Sequence, residues 1–401
     1  MRVVVVGAGI VGAACALAAT RAGCEVVVLE RGQVGAGTTS RGEGNVLVSD
    51  KSPGPELDLA LASRRTWQRW GEELGADALE LDPKGGLVVA TDPAALGPLR
   101  ELAEGQSAAG VEVELVDDPQ RLEPHLAEGL PGALLYPQDA QVQPVLAAAV
   151  LLAEARRLGA AYRPHTVVAG ARHGGGGRVS GVVLADGEFV GADAVVNAAG
   201  TWGGEVGALL GAPVPVLPRK GFILVTQPAP PLVHRKVYSA DYVANVAAST
   251  EGLETSVVVE STRAGTILIG ASRERVGFDG SMNAATVARL ATQAVRLFPV
   301  LARLQLLRVY RGFRPYCPDH LPVIGPDPRV PGVLHACGHE GAGIGLAPAT
   351  GELVAAHLTG ADPLGTLGLD PGPFLPDRFL VDGDLSAAVA GEAAISQAGV
   401  P

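Results

Sequence analysis

The chain opens with two apolar runs that flank a glycine-rich turn and a helix-like stretch. Residues 3–6 are all valine, and they lead directly into Gly7-Ala8-Gly9-Ile10-Val11-Gly12. Residues 13–22 have a helical composition, and a second apolar run ends at Glu30. Strands that are apolar on both faces are typical of parallel sheets buried between helices. The pattern predicts a buried strand, a turn, a helix, a second strand and a terminal acid.

This order of elements suits an adenine dinucleotide. Gly7 permits a tight turn, Gly9 lets the backbone approach a pyrophosphate, and Gly12 lets the helix pack on the sheet. The helix N-terminus offers N–H groups and a partial positive charge to the phosphates. Glu30 follows Gly12 by eighteen residues. Its carboxylate can accept hydrogen bonds from ribose hydroxyls and would repel a 2′-phosphate, which argues against NADP. The fingerprint alone leaves FAD and NAD open.

The remaining strand and helix patterns fall into two groups. Residues 194–200 form another buried run that ends in small residues, and residues 332–358 repeat the order strand, glycines, helix. Residues 213–310 carry several predicted strands and one helix. We therefore expect an α/β fold, with a Rossmann-like dinucleotide-binding domain and a second, β-sheet-rich (α+β) substrate domain. The predicted division is 1–78 plus 140–211 plus 319–376 for the first domain, 79–139 plus 212–318 for the second, and 377–401 for a tail.

Composition narrows the class of protein. The chain has 401 residues, of which 47% are hydrophobic, as expected for globular domains with sizeable cores. The net charge of −11 argues against a nucleic-acid partner. No apolar stretch reaches eighteen residues, so we expect no membrane span. The four cysteines form no CxxC pair, which argues against a metal centre and suits a reducing cytoplasm.

Five segments together resemble one family. Residues 3–30, 38–45, 195–202, 312–325 and 336–351 are similar to the D-amino-acid oxidase superfamily of FAD-dependent oxidoreductases. The nearer resemblance is to the branch of glycine oxidase, sarcosine oxidase β-subunit and dye-linked proline or hydroxyproline dehydrogenase β-subunit. The resemblance implies that the first domain binds FAD. It also implies non-covalent binding, because Cys317 does not match the flavin-linking cysteine of sarcosine oxidases.

The resemblance further implies a set of cofactor-binding residues. They include the glycine turn, the ribose acid and its neighbour, the Ser/Thr-rich loop, an adenine-side valine and two later glycine-rich segments. These are Gly7, Ala8, Gly9, Ile10, Val11, Gly12, Glu30, Arg31, Thr38, Thr39, Ser40, Gly44, Asn45, Val168 (Val167 in an alternative register), Ala198, Gly200, Trp202, Gly338, His339, Gly341, Gly343 and Ile344.

Three residues are predicted to act on the substrate. Arg314 in Gly312-Phe313-Arg314-Pro315 matches the family's arginine that binds the substrate carboxylate, and a planar guanidinium can form a bidentate pair with a carboxylate. A structural ion pair is the alternative for Arg314, and Arg311 is its rival. His339 either tunes the flavin ring or only packs. Tyr242 lies in a predicted lid, and a surface position is the alternative.

The implied activity is oxidation of a small-molecule amine or imino acid that carries a carboxylate. Hydride would pass to flavin N5 and leave an imine. The electron acceptor, whether O2, a quinone or partner subunits in a hetero-oligomer, is left open, as is the choice between oxidase and dehydrogenase. One alternative is an electron-transferring flavoprotein subunit with no turnover alone. An NAD-dependent dehydrogenase is another.

Overall fold

The computed structural model describes residues 1–241 and 252–381, together with the short strand at 384–385. Strands of this part of the chain are β1 (Arg2–Val6), β2 (Glu25–Leu29), β3 (Asn45–Val46), β4 (Gly86–Ala90), β5 (Glu114–Val116), β6 (Gly132–Tyr136), β7 (Ala140–Gln141), β8 (Ala161–Arg163), β9 (Val168–His173), β10 (Val179–Leu184), β11 (Phe189–Gly191), β12 (Ala194–Asn197), β13 (Leu217–Thr226), β14 (Lys236–Ser239), β15 (Glu254–Ser261), β16 (Ile267–Arg273), β17 (Leu306–Tyr316), β18 (Val323–Pro326), β19 (Val333–Cys337), β20 (Leu380–Val381) and β21 (Asp384–Leu385). Its α-helices are α1 (Ile10–Arg21), α2 (Pro55–Leu74), α3 (Ala76–Leu79), α4 (Leu96–Ala108), α5 (Pro144–Arg157), α6 (Gly203–Leu209), α7 (Ala284–Leu297), α8 (Gly343–Thr359) and α9 (Pro363–Leu367).

The first two apolar runs form the centre of a six-stranded sheet. Its order is β18-β19-β12-β1-β2-β8, and β1 pairs in parallel with both β2 and β12. Every residue of β1 and β2 except the first of each is buried. The predicted Rossmann-like α/β arrangement is therefore confirmed. A separate antiparallel sheet, β11-β10-β9, packs its valines against the same strands.

The second large sheet has eight strands in the order β17-β13-β16-β15-β14-β4-β6-β5. Only β14 and β4 pair in parallel, and the other neighbours are antiparallel. The two large sheets draw on alternating parts of the chain, as the predicted division requires. The domain limits themselves stay a prediction.

β17 differs from its prediction in a way that matters for the site. The pattern predicts a strand over 304–310, whereas β17 spans Leu306–Tyr316. Its pairing with β13 continues through Arg219↔Arg314 to Leu217↔Tyr316. Ladder hydrogen bonds to β13 keep this glycine- and arginine-containing segment extended. Arg314 therefore projects from a sheet strand and not from a loop.

The helix predicted over 346–358 begins earlier, at Gly343, and contains Pro348. A proline in a helix removes the hydrogen bond to the carbonyl four residues earlier, here that of Ile344. The indole N–H of Trp67 donates to that carbonyl, and equally to Gly345, at 3.1 Å. A buried tryptophan on α2 thus satisfies the acceptor that Pro348 leaves open.

Within the described ranges, no helix is both long and apolar enough to cross a membrane. The predicted tail, 377–401, lies largely outside the described residues.

The contact between α1 and α8 generates a stability prediction. A Cβ on Gly351 would lie 2.7 Å from the carbonyl oxygen of Ala14, and a backbone atom has little freedom to move away. Gly351→Ala should therefore lower the free energy of unfolding by about 1–3 kcal/mol. Urea denaturation of the holoprotein, followed by circular dichroism, measures the change.

Gly97→Ala is the matched control, since Gly97 is also helical and a Cβ there meets nothing within 4 Å. This variant should be neutral or slightly stabilising, because alanine favours helix over glycine. Equal effects of the two substitutions would contradict the account of the α1–α8 contact.

Candidate active site

The turn after β1 accepts only glycine at two positions. Gly7 has a φ of 111°, and a Cβ there would lie 2.5 Å from the carbonyl oxygen of Ala198. A Cβ on Gly12 would lie 2.0 Å from the carbonyl oxygen of Gly7. α1 starts immediately after the turn, and the N–H of Ile10 donates to Thr39 Oγ1 at 3.0 Å. The result is a glycine turn followed at once by a helix N-terminus, the arrangement that binds phosphates.

Glu30 lies directly after β2 and holds this turn in place. Its carboxylate accepts hydrogen bonds from the N–H of Ala8 at 2.8 Å and from the N–H of Gly32 at 2.7 Å. An ionised carboxylate has about four acceptor positions. Two positions therefore remain for hydroxyl donors such as those of a ribose, which fits the predicted role of Glu30.

The loop between β2 and β3 connects the two large sheets. Thr38 Oγ1 donates to the carbonyl oxygen of Phe313 at 2.9 Å, and Thr201 Oγ1 donates to the same oxygen at 2.6 Å. The two hydroxyl oxygens lie 2.9 Å apart. Three segments that are distant in sequence are thereby fixed against one another.

A cavity of about 590 Å³ is lined by residues of both large sheets and of this loop. It brings together most of the residues predicted from the sequence. These are Gly7, Gly9, Ile10, Val11, Glu30, Arg31, Thr38, Thr39, Asn45, Val168, Ala198, Gly200, Trp202, Arg314, His339, Gly341, Gly343 and Ile344. Val167, the alternative to Val168, also lines it, so both registers remain open.

Five predicted residues do not line the cavity, but each is next in the chain to a residue that does. Ala8 contributes the N–H bound by Glu30, and Gly12 packs on Gly7 as described. Ser40 Oγ is directed at the carbonyls of its own turn. Gly44 has a φ of 99° and contacts the Val142 backbone, and Gly338 has a φ of 80°. Tyr242 lies outside the described residues.

Trp202 is held at the wall by its neighbours. The guanidinium of Arg31 lies 3.7 Å from the centre of the indole. The ring of Phe278 is stacked on the indole, with centroids 5.5 Å apart and planes 9° from parallel. These contacts fix the orientation of Trp202. Two predicted residues, Arg31 and Trp202, are thus in contact.

Three glycines on adjacent strands leave space for side chains that line the cavity. We call this set, Gly221, Gly270 and Gly312, the glycine floor. Gly221 of β13 and Gly312 of β17 are directly paired, and Gly270 belongs to β16, the other neighbour of β13. A Cβ on Gly221 would lie 2.3 Å from Arg314 Nη1. Arg314 Nη1 also donates to the carbonyl oxygen of Ser272 at 2.8 Å. The missing side chain of Gly221 thus makes room for the guanidinium.

The other two glycines make room for the loop at 38–45. A Cβ on Gly312 would lie 2.4 Å from Arg41 Cβ, and one on Gly270 would lie 2.3 Å from Glu43 Oε1. Arg41 and Glu43 both line the cavity. The sheet and the loop therefore place three charged side chains, Arg41, Glu43 and Arg314, on the cavity wall.

His339 lies in the last glycine-rich segment, close to the start of α8. Its side chain is buried, and Nε2 lies 3.0 Å from Thr350 Oγ1. Thr350 donates its hydroxyl proton to the carbonyl of Leu346, so the hydroxyl oxygen accepts from His339 and the proton is assigned to Nε2. Burial lowers the pKa of His339 to about 3. The imidazole is therefore neutral near pH 7, and the positive potential here comes from the helix N-terminus.

Sequence analysis missed several cavity residues. Glu43, Gly221, Ile223 and Glu340 all line the cavity and were not predicted. A glycine inside a predicted strand, as at Gly221, is a usable signal, since it marks close approach of another group. Glu43 gives a weaker signal, because an acid between two glycines is also common in exposed loops.

The sequence and the fold both match those of a known protein family. A family model described as FAD dependent oxidoreductase (DAO) matches residues 2–357. Glycine oxidase of Geobacillus kaustophilus is 30% identical over 362 residues, which cover 88% of this chain and 91% of that protein. Its crystal structure superposes with a TM-score of 0.82, covering 95% of this chain and 100% of the other.

Two further relatives have different names. L-proline dehydrogenase from P. horikoshii superposes with a TM-score of 0.81 at 25% identity, covering 94% and 97% of the two chains. Hydrogen cyanide synthase subunit HcnC of Pseudomonas aeruginosa is 35% identical over 261 residues, which span 65% of this chain and only 58% of that protein.

The chain belongs to the DAO family of FAD-dependent oxidoreductases. It is an FAD-dependent amine or amino-acid oxidoreductase, and the predicted superfamily, fold class and cofactor are confirmed. The free acceptor positions of Glu30 and the two helix N-termini at the cavity fit FAD.

The neutral state of His339 predicts a pH dependence of stability. As the pH falls below 6.5, the unfolded chain binds a proton at this histidine that the folded protein does not bind until about pH 3. The contribution of His339 to stability is therefore present above pH 6.5 and is lost as the pH falls, by up to about 1.4 kcal/mol per pH unit. His339→Gln removes the titration and retains a donor for Thr350.

Urea denaturation of both holoproteins at pH 7 and pH 4.5 measures this effect. Wild-type protein should lose about 2–3 kcal/mol more than the variant between these pH values. Identical losses would show that His339 is not neutral in the folded protein.

Proposed function

We propose that the protein oxidises a small amine or imino acid that carries a carboxylate, of the glycine, sarcosine, proline, hydroxyproline or D-amino acid type. The observation that carries this proposal is Arg314, which lies over Gly221 and lines the same cavity as Glu30. The names of the relatives, glycine oxidase and L-proline dehydrogenase, support the same substrate class.

The residues that would hold the cofactor follow from the wall of the cavity. Glu30 would accept hydrogen bonds from the ribose, and the N-terminus of α1 would face the pyrophosphate. The N-terminus of α8, with Gly343 and Ile344 on the cavity, would supply positive potential to the ring. FAD, bound non-covalently, would supply the hydride acceptor, N5, and the amine would leave as an imine.

Arg314 would bind the substrate carboxylate and orient the C–H bond that breaks. Its guanidinium is fixed on one side by the hydrogen bond to Ser272. A bidentate, charge-assisted pair restricts the rotation of a small substrate, so positioning would supply much of the rate. His339, being neutral and bonded to Thr350, would shape the wall beside the ring without adding charge.

A role as a subunit of a hetero-oligomeric dehydrogenase is the second candidate. HcnC is named as a subunit, and this supports a flavoprotein subunit that transfers electrons but has no turnover alone. Both candidates predict a flavoprotein, and they differ in whether the isolated chain is reduced by an amine.

The proposed function is tested by mixing the purified protein anaerobically with glycine, sarcosine, L-proline, hydroxyproline and D-alanine. Loss of the visible absorption of oxidised flavin, without any partner, is the expected result. Reoxidation by air then distinguishes an oxidase from a dehydrogenase. A flavin that no amine on this panel reduces would contradict turnover by the chain alone.

Arg314→Ala should retain FAD and weaken the binding of the amine that reduces the wild-type flavin. Loss of hydrogen bonds to a charged group costs about 1.5–3 kcal/mol, which corresponds to a rise in Kd of roughly 10- to 150-fold. The Kd is measured from the dependence of flavin reduction rate on amine concentration in anaerobic stopped-flow experiments.

Arg311→Ala is the control, because Arg311 is the rival candidate on the same strand and does not line the cavity. Its guanidinium lies beside Gly280. A change of less than threefold is expected for this variant by the affinity scale above. The anchor would be wrongly assigned if Arg311→Ala had the larger effect.

A further inference from the structure

We infer that Glu43 binds the amino group of the substrate whose carboxylate is bound by Arg314. This inference rests on the proposed function and deepens it. It assigns a second, oppositely charged contact to the same ligand, so that the site recognises both ends of an amino acid.

The carboxylate of Glu43 is buried with an incomplete set of hydrogen bonds. The residue is 7% exposed and lines the cavity. Its Oε2 accepts from Asn45 Nδ2 at 3.3 Å and lies 3.5 Å from Lys236 Nζ. Its Oε1 has no hydrogen-bond partner among the residues described. Buried carboxylate oxygens without donors are rare because they are costly, so a donor from a ligand is expected at this oxygen.

The nearby ammonium group is closer to a different acid. Lys236 Nζ lies 3.0 Å from Glu260 Oε2, compared with 3.5 Å from Glu43. Glu260 is fully buried and receives a further hydrogen bond from Gln141 at 3.1 Å. Lys84, which also faces Glu260, donates to the Ser261 carbonyl, and burial lowers the pKa of Lys84. Lys236 is therefore shared between the two acids, and Oε1 of Glu43 is the oxygen that can accept from a cation in the cavity.

Glu43 and Arg314 contact β16 at nearby positions, Gly270 and Ser272. Glu43 Oε1 lies against Gly270, and Arg314 Nη1 donates to the carbonyl of Ser272. These two β16 residues are separated by two chain steps, which span at most about 7 Å. An α-amino acid that is hydrogen-bonded at both ends, with bonds of about 2.9 Å, covers a similar distance. One small zwitterion can therefore contact both side chains.

The opposite charges of Arg314 and Glu43 determine which ligands the site would prefer. Arg314 alone would bind any small carboxylate, whereas a neighbouring carboxylate repels an anion that lacks an amino group. The pair favours a ligand with an amine beside its carboxylate over acetate or another simple acid. Glu43 would thus determine specificity for amino acids.

The test compares the two members of a ligand pair, one with an amine and one without it. Glycine is paired with acetate, and L-proline with cyclopentanecarboxylate, and each is titrated into wild-type and Glu43→Gln holoprotein. Anaerobic flavin reduction gives the Kd of the amine, and the perturbed flavin spectrum gives the Kd of the amine-free acid. We expect Glu43→Gln to raise the Kd of the reducing amine at least tenfold and to leave the Kd of its amine-free partner unchanged or lower.

Two further variants separate binding from a structural role. Glu43→Asp keeps the charge and should raise the Kd of the amine less than Glu43→Gln does. If the glutamine variant folds poorly, Glu43→Asp is compared with the wild type, and an equal change in the Kd of both ligands of a pair would contradict the inference. Glu274→Gln removes an acid just beyond β16 that pairs with Lys220 and does not line the cavity, and it should change neither Kd by more than about twofold.

Three results would overturn the inference while the proposed function stands. The first is an unchanged amine Kd in a Glu43→Gln protein whose flavin is reduced. The second is a parallel loss of affinity for both members of a ligand pair. The third is a loss of FAD from Glu43→Gln while the fraction of protein that retains FAD binds the amine as tightly as the wild type. This result would assign Glu43 to the cofactor.

Discussion

The charged part of the cavity wall depends on three missing side chains in the eight-stranded sheet. Gly221, Gly270 and Gly312 lie on three neighbouring strands, and a methyl group on any of them would come within 2.5 Å of a charged residue. Because the side chains are absent, the guanidinium of Arg314 and the loop at 38–45 lie directly against the backbone. The sheet is thus the rigid surface on which the site is built.

The walls formed by α1 and α8 present backbone groups to the cavity. Glu30 holds the glycine turn through the N–H of Ala8, and α1 begins immediately after it. At α8, Trp67 satisfies the carbonyl that Pro348 leaves open, so the helix keeps its early start at Gly343. Both helix N-termini therefore face one cavity, and Thr38 ties the loop between them to Phe313 of the second sheet.

What could be predicted from the sequence depends on how far apart in the chain the interacting residues lie. The strand–turn–helix unit was predictable because glycine spacing and buried valines are local signals. The extended backbone at Arg314 was not, because pairing with β13 keeps a glycine- and proline-containing segment in the sheet. Glu43 was overlooked for the same reason, since its contact with Gly270 joins residues more than two hundred positions apart. Tyr242 lies outside the described residues and stays a prediction.

The most direct test of the account is the effect of a single methyl group on the glycine floor. In Gly221→Ala the new Cβ would stand 2.3 Å from Arg314 Nη1, whereas Gly170→Ala places a Cβ in open space on another strand. The measurement is the amine Kd from anaerobic flavin reduction, together with the flavin-to-protein ratio. The account predicts that Gly221→Ala retains its flavin and binds the amine at least tenfold more weakly, while Gly170→Ala resembles the wild type. An unchanged amine Kd in a flavin-loaded Gly221→Ala protein would contradict it.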